Sequence, residues 1–308
     1  MLSARNSRLT LLCLIATLLL GPPARADGER PQFQWPIIKG EFPDLRLITS
    51  TFGESRIDHF HNGLDIAGDN DAVRPMAAGD IVYTRNGPDD PFRPEQGPGN
   101  YTYLYHGNGW WSGYYHLRNL SGYPRAGAVS PETILARSGN TGHSGGPHLH
   151  FFVARESGYE IINPLTVLPD VTDENPPIIE GLVILTPNGE THLRADRIER
   201  FRLTRPYPIL LRVRDPGLET YTNRGVYRLR WRLNDDEARE RVFDRVQFVD
   251  GDWKLQGQHS FEESFVSGYY NLGILSFAEG ENLIEVFVAD YAGNESSDRF
   301  NLVVDRQY

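Results

Sequence analysis

Helical periodicity is nearly absent from this sequence, and that absence constrains the fold more than any other feature. In its place stand short runs rich in aromatic and β-branched residues. GDIVYT (79–84), NYTYLYHG (100–107), WWSGYYHL (110–117), ETILARSG (132–139) and HLHFFVARE (148–156) are bounded by Gly, Pro or Asn. Such runs read as strands. The back half repeats the pattern. VILTPNGETHLR (183–194) is expected to form a hairpin turning at Asn188-Gly189. VYRLRWRLNDDEARERVF (226–243) alternates and turns at Asn234-Asp235, and ENLIEVFVADYAGNES (281–296) and FNLVVD (300–305) supply closing strands. The expected fold is all-β, with a β-sandwich over about the last 130 residues. One stretch, Asn86 to Asn100, is dense in Pro and Gly without periodicity and reads as a long surface loop of the kind that is often functional.

The N-terminus differs from the rest. Arg5 and Arg8 precede an apolar run from Leu9 to Leu20, and Ala24-Arg25-Ala26 closes the segment. A basic start, a short apolar core and a small-x-small ending predict a secretory signal peptide, 1–26, cut after Ala26. The apolar run falls short of the roughly 20 residues that span a bilayer. The single cysteine, Cys13, lies inside this segment, too early and after Leu11-Leu12 for a lipidation site. The mature chain then has no thiol to pair or to bind a metal. Losing Arg5, Arg8 and Arg25 moves the net charge from −10 to −13. A chain this acidic is a poor partner for nucleic acid.

Seven of the nine histidines lie between residues 59 and 150, which separates a histidine-rich front half from a plainer back half. The boundary is expected at LPDVTDENPPII (168–179), where prolines among acids favour an extended linker. The layout is therefore a domain over 27–168, a linker over 169–178 and a second domain over 179–308.

The chemistry concentrates in two segments. On a strand, residues i and i+2 share a face, so His148 and His150 project together from HLHF. HNGLD (61–65) offers His61 and Asp65 on one side of an extended segment, with Gly63 allowing close backbone approach. Two imidazoles and a carboxylate form the three-ligand set of a catalytic zinc. GYYHL adds His116 on the face of Tyr114, whose packing role is the simpler reading. His59, His106, His192 and His259 carry no such partner pattern, and His143 lies in an exposed turn beside the site. Asn140, Thr141 and Gly142, with Gly145 and Gly146, read as a turn that delivers the His148 strand.

In order along the chain, ITSTFGESR, HFHNGLDIAG, VRPMAAGDIVYT, GYYHL, ILARSGNTGHSGGPHLHFFV and INPL resemble the lysostaphin/LytM-type zinc metallopeptidases of the M23 family. The resemblance spans about residues 33–168. It implies an antiparallel β-sheet catalytic domain in which His61, Asp65 and His150 bind Zn2+ while His116 and His148 are catalytic. Two features depart from the pattern: Phe152 stands where an acid often follows H-L-H-F, and the Asn86–Asn100 loop is long. In the back half, VADYAGNES (288–296) resembles the closing strand of bacterial immunoglobulin-like modules, which implies an Ig-like sandwich over 179–308.

The function these residues imply is an exported, periplasmic or secreted, zinc endopeptidase acting on peptidoglycan stem peptides or crosslinks. Two other readings stand beside it. One is a non-catalytic relative that regulates or binds other wall hydrolases, against which retention of all five polar positions counts. The other is a secreted protease acting on Gly-rich protein.

Overall fold

The computed structural model describes residues 33–37, 47–87, 97–186, 189–203, 205–216 and 223–306. The expected signal peptide, Cys13 and most of the Asn86–Asn100 loop lie outside these residues. The chain is nearly all β, as the short aromatic runs predict. Its one α-helix among the described residues, Phe261–Ser264, is a single turn capped by Ser260 and Glu263. No helix among them is long and apolar enough to cross a membrane.

The histidine-rich half supplies eight strands of a ten-stranded antiparallel sheet. Its centre runs Glu160–Ile162, His148–Arg155, Trp111–Leu117, Asn100–Tyr105 and Gly79–Arg85, and Leu64–Ala67 also pairs with His148–Arg155. Alternation fixes the two faces. In Asn100–Tyr105, Asn100, Thr102 and Leu104 are buried while the three tyrosines between them are half-buried. The buried face packs a core that includes Leu64, Ile66, Leu104, Tyr114, Leu149 and Phe151. Tyr114 belongs to that core. It is fully buried, its ring lies 5.4 Å from Phe151, and its hydroxyl accepts from the Met76 N–H and the Ser112 hydroxyl.

The back half builds two further sheets. Ile178–Thr186 pairs with Gly189–Leu193 and with Pro208–Pro216. The first pairing forms the expected hairpin, but with Thr186 opposite Gly189, so Gly189 opens the returning strand rather than the turn, and Asn188 lies outside the described residues. Arg228–Leu233 pairs with Arg239–Val242 and with Gly280–Ala289, itself paired with Glu295–Arg306. Leu182, Leu211 and Ile184 of one sheet share a single buried cluster with Trp231, Val286 and Phe300 of the other, so the two sheets form a sandwich. VADYAGNES is the turn between two long strands, where Asp290 Oδ1 accepts from the N–H groups of Gly293 and Asn294.

The sheet of the front half continues into the back half. Glu160–Ile162 pairs with Arg245–Val249, which pairs with Asp252–Leu255. Phe52 and Phe60 are likewise buried in the sandwich cluster, with Phe60 5.3 Å from Phe261. Gly225 donates its N–H to Thr51 Oγ1 and Glu54 Oε1. The segment from Thr51 to His61 is thus held between the two halves, and that segment delivers the first site residue.

Candidate metal centre

Register brings the site together. Asp65 lies directly opposite His150 across the paired strands, and Tyr115 lies opposite His150 on its other side. His61 enters from the loop before the Leu64–Ala67 strand. The three donor atoms then meet. His61 Nε2 is 3.1 Å from Asp65 Oδ1 and 3.1 Å from His150 Nδ1, and His150 Nδ1 is 2.9 Å from Asp65 Oδ1. His61 and His150 are buried, and the Asp65 side chain is 15% exposed.

Each donor is aimed by a second contact. His61 Nδ1–H donates to the Thr51 carbonyl at 2.7 Å, which leaves Nε2 with a lone pair toward the other two donors. Asp65 Oδ2 accepts from Arg56 at 2.8 Å, leaving Oδ1 for the centre. His150 is aimed by packing: its ring stacks on Tyr115 at 5.1 Å and 13°, and its Nε2 has no hydrogen-bond partner among the described residues. Burial disfavours the Asp65 charge. Its interactions with His61 and His150 outweigh burial and hold the carboxyl far below the usual carboxylate range. Burial, with the neighbouring histidines, lowers His150 to about 4 although Asp65 opposes it, so its ring is neutral at pH 7.

These residues fit one divalent cation. Two neutral imidazole nitrogens and a carboxylate oxygen match the donor set of a zinc site. Three donors about 2 Å from one ion lie about 3 Å apart, as these do. Without a cation or a proton between them, electron-rich atoms this close repel one another.

Gly63 is required by contact rather than by backbone angle. A Cβ there would lie 2.5 Å from the Phe151 carbonyl oxygen and 2.9 Å from His150 Nε2. Gly63→Ala is expected to cost about 1–3 kcal/mol in stability and to weaken divalent-ion binding, as the strand pair and the His150 ring shift apart. Unfolding in chelator and zinc titration of the same variant would measure both.

Two more histidines flank the donors. His148 Nδ1–H donates to the Gly146 carbonyl at 2.8 Å, and its Nε2 lies 3.6 Å from Asp65 Oδ1. His116 Nδ1–H donates to the Thr141 carbonyl at 2.8 Å, and its ring is 4.6 Å from that of His148. Burial lowers the His116 pKa, and the nearby His148 adds to the effect. His116 has φ +59°, a left-handed conformation uncommon outside glycine and often found where a site stores strain. His59, His106 and His192 stand apart with their own partners, Asp58, the Ala78 carbonyl with Ser112, and Glu190, whereas His143 lies near enough to His116 to act on its charge.

Sequence reasoning does not find the residues that aim the donors. Arg56, Tyr115 and the carbonyls of Thr51, Gly146 and Thr141 reach the site through loops and cross-strand register. The turn glycines do carry a signal. A Cβ on Gly142, at φ +80°, would lie 2.3 Å from the Gly99 nitrogen. Gly142 therefore closes the turn, whereas Gly145 and Gly146 have neither a positive φ nor a close neighbour that requires glycine.

A second carboxylate group, Asp173, Asp215 and Asp290, lies in the sandwich half beside Arg224. Arg224 donates to Asp173 at 2.8 Å and lies 3.3 Å from Asp215. It is an ion-paired cluster.

Residues 59–164 match the family model described as Peptidase family M23. A second family model, with no stated function, matches residues 176–305. No curated protein sequence matches the chain. Among solved structures, a zinc containing peptidase from Vibrio cholerae is 26% identical over 44% of this chain and 39% of its own, with a TM-score of 0.35. LytU is 27% identical over 42% of this chain and 88% of its own, with a TM-score of 0.33. The catalytic domain of lysostaphin from Staphylococcus simulans is 23% identical over 38% of this chain and 86% of its own, with a TM-score of 0.32. The chain thus spans about two fifths of the Vibrio cholerae peptidase. The matched segment holds His61, Asp65, His116, His148 and His150, and with it the chain carries a domain of peptidase family M23.

Proposed function

We propose that this protein is an exported zinc metalloendopeptidase that hydrolyses peptide bonds of peptidoglycan. The observation that carries the reading is the convergence of His61 Nε2, Asp65 Oδ1 and His150 Nδ1 within about 3 Å, with two further histidines beside them. When bound, zinc supplies a Lewis acid and lowers the pKa of a water from 15.7 to about 7. His61, Asp65 and His150 would hold it, and Arg56 and Thr51 would keep two of these donors aimed.

The proton work falls to His116 and His148. Each commits Nδ1–H to a carbonyl and keeps Nε2 for the reaction. His116, kept neutral by burial, is suited to take the proton of the attacking water. His148, when it carries a proton on Nε2, would hydrogen-bond the developing oxyanion. The proton taken up by His116 would pass to the leaving amine, which returns His116 to its starting form. The back half, read as an immunoglobulin-like module, braces the loop from Thr51 to His61.

The test is incubation of purified peptidoglycan with the zinc-loaded protein, followed by mass spectrometry of the fragments. New amino termini that disappear with chelator support the proposal, and the fragment masses name the bond. Binding without new termini would leave a wall-binding regulator. Cleavage of Gly-rich protein alone would leave a general secreted protease.

A further inference from the structure

The solvent face of the sheet beside the metal centre is unusual in composition. An exposed antiparallel face is ordinarily polar. Here it carries a continuous row of tyrosines. Tyr115 stacks on His150, Tyr101 lies 5.5 Å from Tyr115, and Tyr83 stacks on Tyr101 at 5.6 Å and 28°. Tyr103 packs between them, 5.0 Å from Tyr101, with its hydroxyl 2.7 Å from that of Tyr115. Phe152 supports the row, 5.4 Å from Tyr115 and 5.8 Å from Tyr103. Tyr83 is 52% exposed and its neighbour Val82 47%.

Cross-strand aromatic pairs stabilise a sheet, and that accounts for the buried end of the row. It does not account for large ring faces left open at Tyr83. We propose that the far end of this row, Tyr83 and Tyr101, is a subsite for the glycan strand of the wall polymer, which rests on the reading of this centre as a peptidoglycan endopeptidase.

Three observations select a sugar as occupant. The row is continuous with the metal centre through Tyr115, so whatever lies on it belongs to the molecule cleaved there. Its rings are uncharged: burial and neighbouring tyrosines raise the phenols of Tyr101 and Tyr103, so they stay protonated. Arg85, paired with Tyr101 across the strands, is a charged residue at this end, and its Nη1 is committed to the Gly99 carbonyl. Ring faces suit the C–H faces of a hexosamine and phenols suit its hydroxyls, whereas a peptide bearing free carboxylates and amines would need opposite charges. The third is reach. The strand carrying Tyr83 lies three strand spacings from that carrying His150, about 14 Å. About four extended residues cover that distance. A stem peptide with its bond at the centre therefore places the attached sugar over Tyr83 and Tyr101.

The experiment uses the full chain and the Tyr83→Ala/Tyr101→Ala double variant, both checked for the same thermal transition. The first measurement is binding to glycan strands stripped of stem peptides, which needs no catalysis. The wild type is expected to bind and the double variant to lose about tenfold in affinity. No binding by the wild type, or equal binding by both, overturns the proposal. The second is hydrolysis of intact wall against sugar-free crosslinked peptides. KM on intact wall is expected to rise about tenfold in the double variant with kcat kept, and sugar-free peptides are expected to be cleaved equally by both. An equal loss on both substrates would make the row a peptide subsite and overturn the glycan assignment. A wild type that binds glycan and cleaves neither substrate would overturn the endopeptidase reading while sparing the subsite.

Discussion

Replacing His150 with alanine is expected to lower zinc affinity by far more than the 10–100-fold that losing a supporting contact costs, and to remove wall hydrolysis with it. Replacing His148 is expected to do something different. The two residues share a strand face and lie one residue apart, yet only His150 Nδ1 joins the donor triangle. His148 Nε2 stands 3.6 Å from Asp65 Oδ1, beside the donors. His148→Ala should keep one zinc per chain after dialysis and lose about 10²–10⁴-fold in kcat, the range of a positioned acid or base. Metal content by elemental analysis and turnover on isolated wall would be measured on the same preparations. Loss of zinc by His148→Ala equal to that by His150→Ala would sink the division of roles. Asp65→Asn gives a third point. It keeps the shape and removes the charge opposite Arg56, so zinc affinity should fall while the fold stays.

Much of this centre could be read from local pattern. The alternation of HLHF puts His148 and His150 on one face because a strand has a period of two. That period needs no tertiary information. The pairing of Asp65 with His150 is a different matter. It depends on register between strands far apart in the chain, and the resemblance to a known family supplied it where spacing could not. Tyr114 marks where the rule of two stops. Simple alternation puts His116 on the same face as Tyr114, but the strand is irregular at His116, with its positive φ, so Tyr114 packs into the core against Phe151 while His116 faces His148.

What sequence could not reveal is non-local. Arg56 looks like any loop arginine until the turn from Arg56 to His59 folds it onto Asp65. The carbonyls that fix the histidine tautomers have no sequence signature at all. His116 gives no hint of a positive φ, because nothing in GYYHL marks a turn. The largest omission concerns the two halves. Their boundary prolines are visible, and residues 169–177 form neither helix nor strand. The burial of Phe52 and Phe60 in the sandwich core, and the strands Arg245–Val249 and Asp252–Leu255 added to the first sheet, follow only from three-dimensional packing.

The stability that wild type holds over an Asp215→Asn variant should fall as pH rises from about 4 to about 7, the reverse of what most carboxylates produce. Taking the difference between the two curves removes the opposite effect of the lowered histidines His150 and His116, which both proteins share. The Asp215 side chain is 6% exposed. Burial pushes its carboxyl up to about 7, and the charges of Asp290, Asp173 and Glu54 add to the effect against Arg224. An acid whose folded value lies above its unfolded value binds its proton more tightly when folded. Its favourable contribution is complete below the unfolded value of 3.8 and is lost as pH rises through about 7. A gap of that size corresponds to a loss on the order of 4 kcal/mol. Urea unfolding in chelator, which removes any contribution from metal binding, would follow the change. Asp215→Asn mimics the protonated acid, so its stability should lie close to wild type at acidic pH and its curve should lack the Asp215 fall between about pH 4 and about 7. The slope is therefore the reading that matters, since a merely damaged sandwich would shift the whole curve and keep it. A variant curve as steep as the wild type would assign the pH dependence elsewhere. A variant that gains nothing on wild type between about pH 4 and about 7 would show Asp215 ionised throughout, with Arg224 the stronger influence on it.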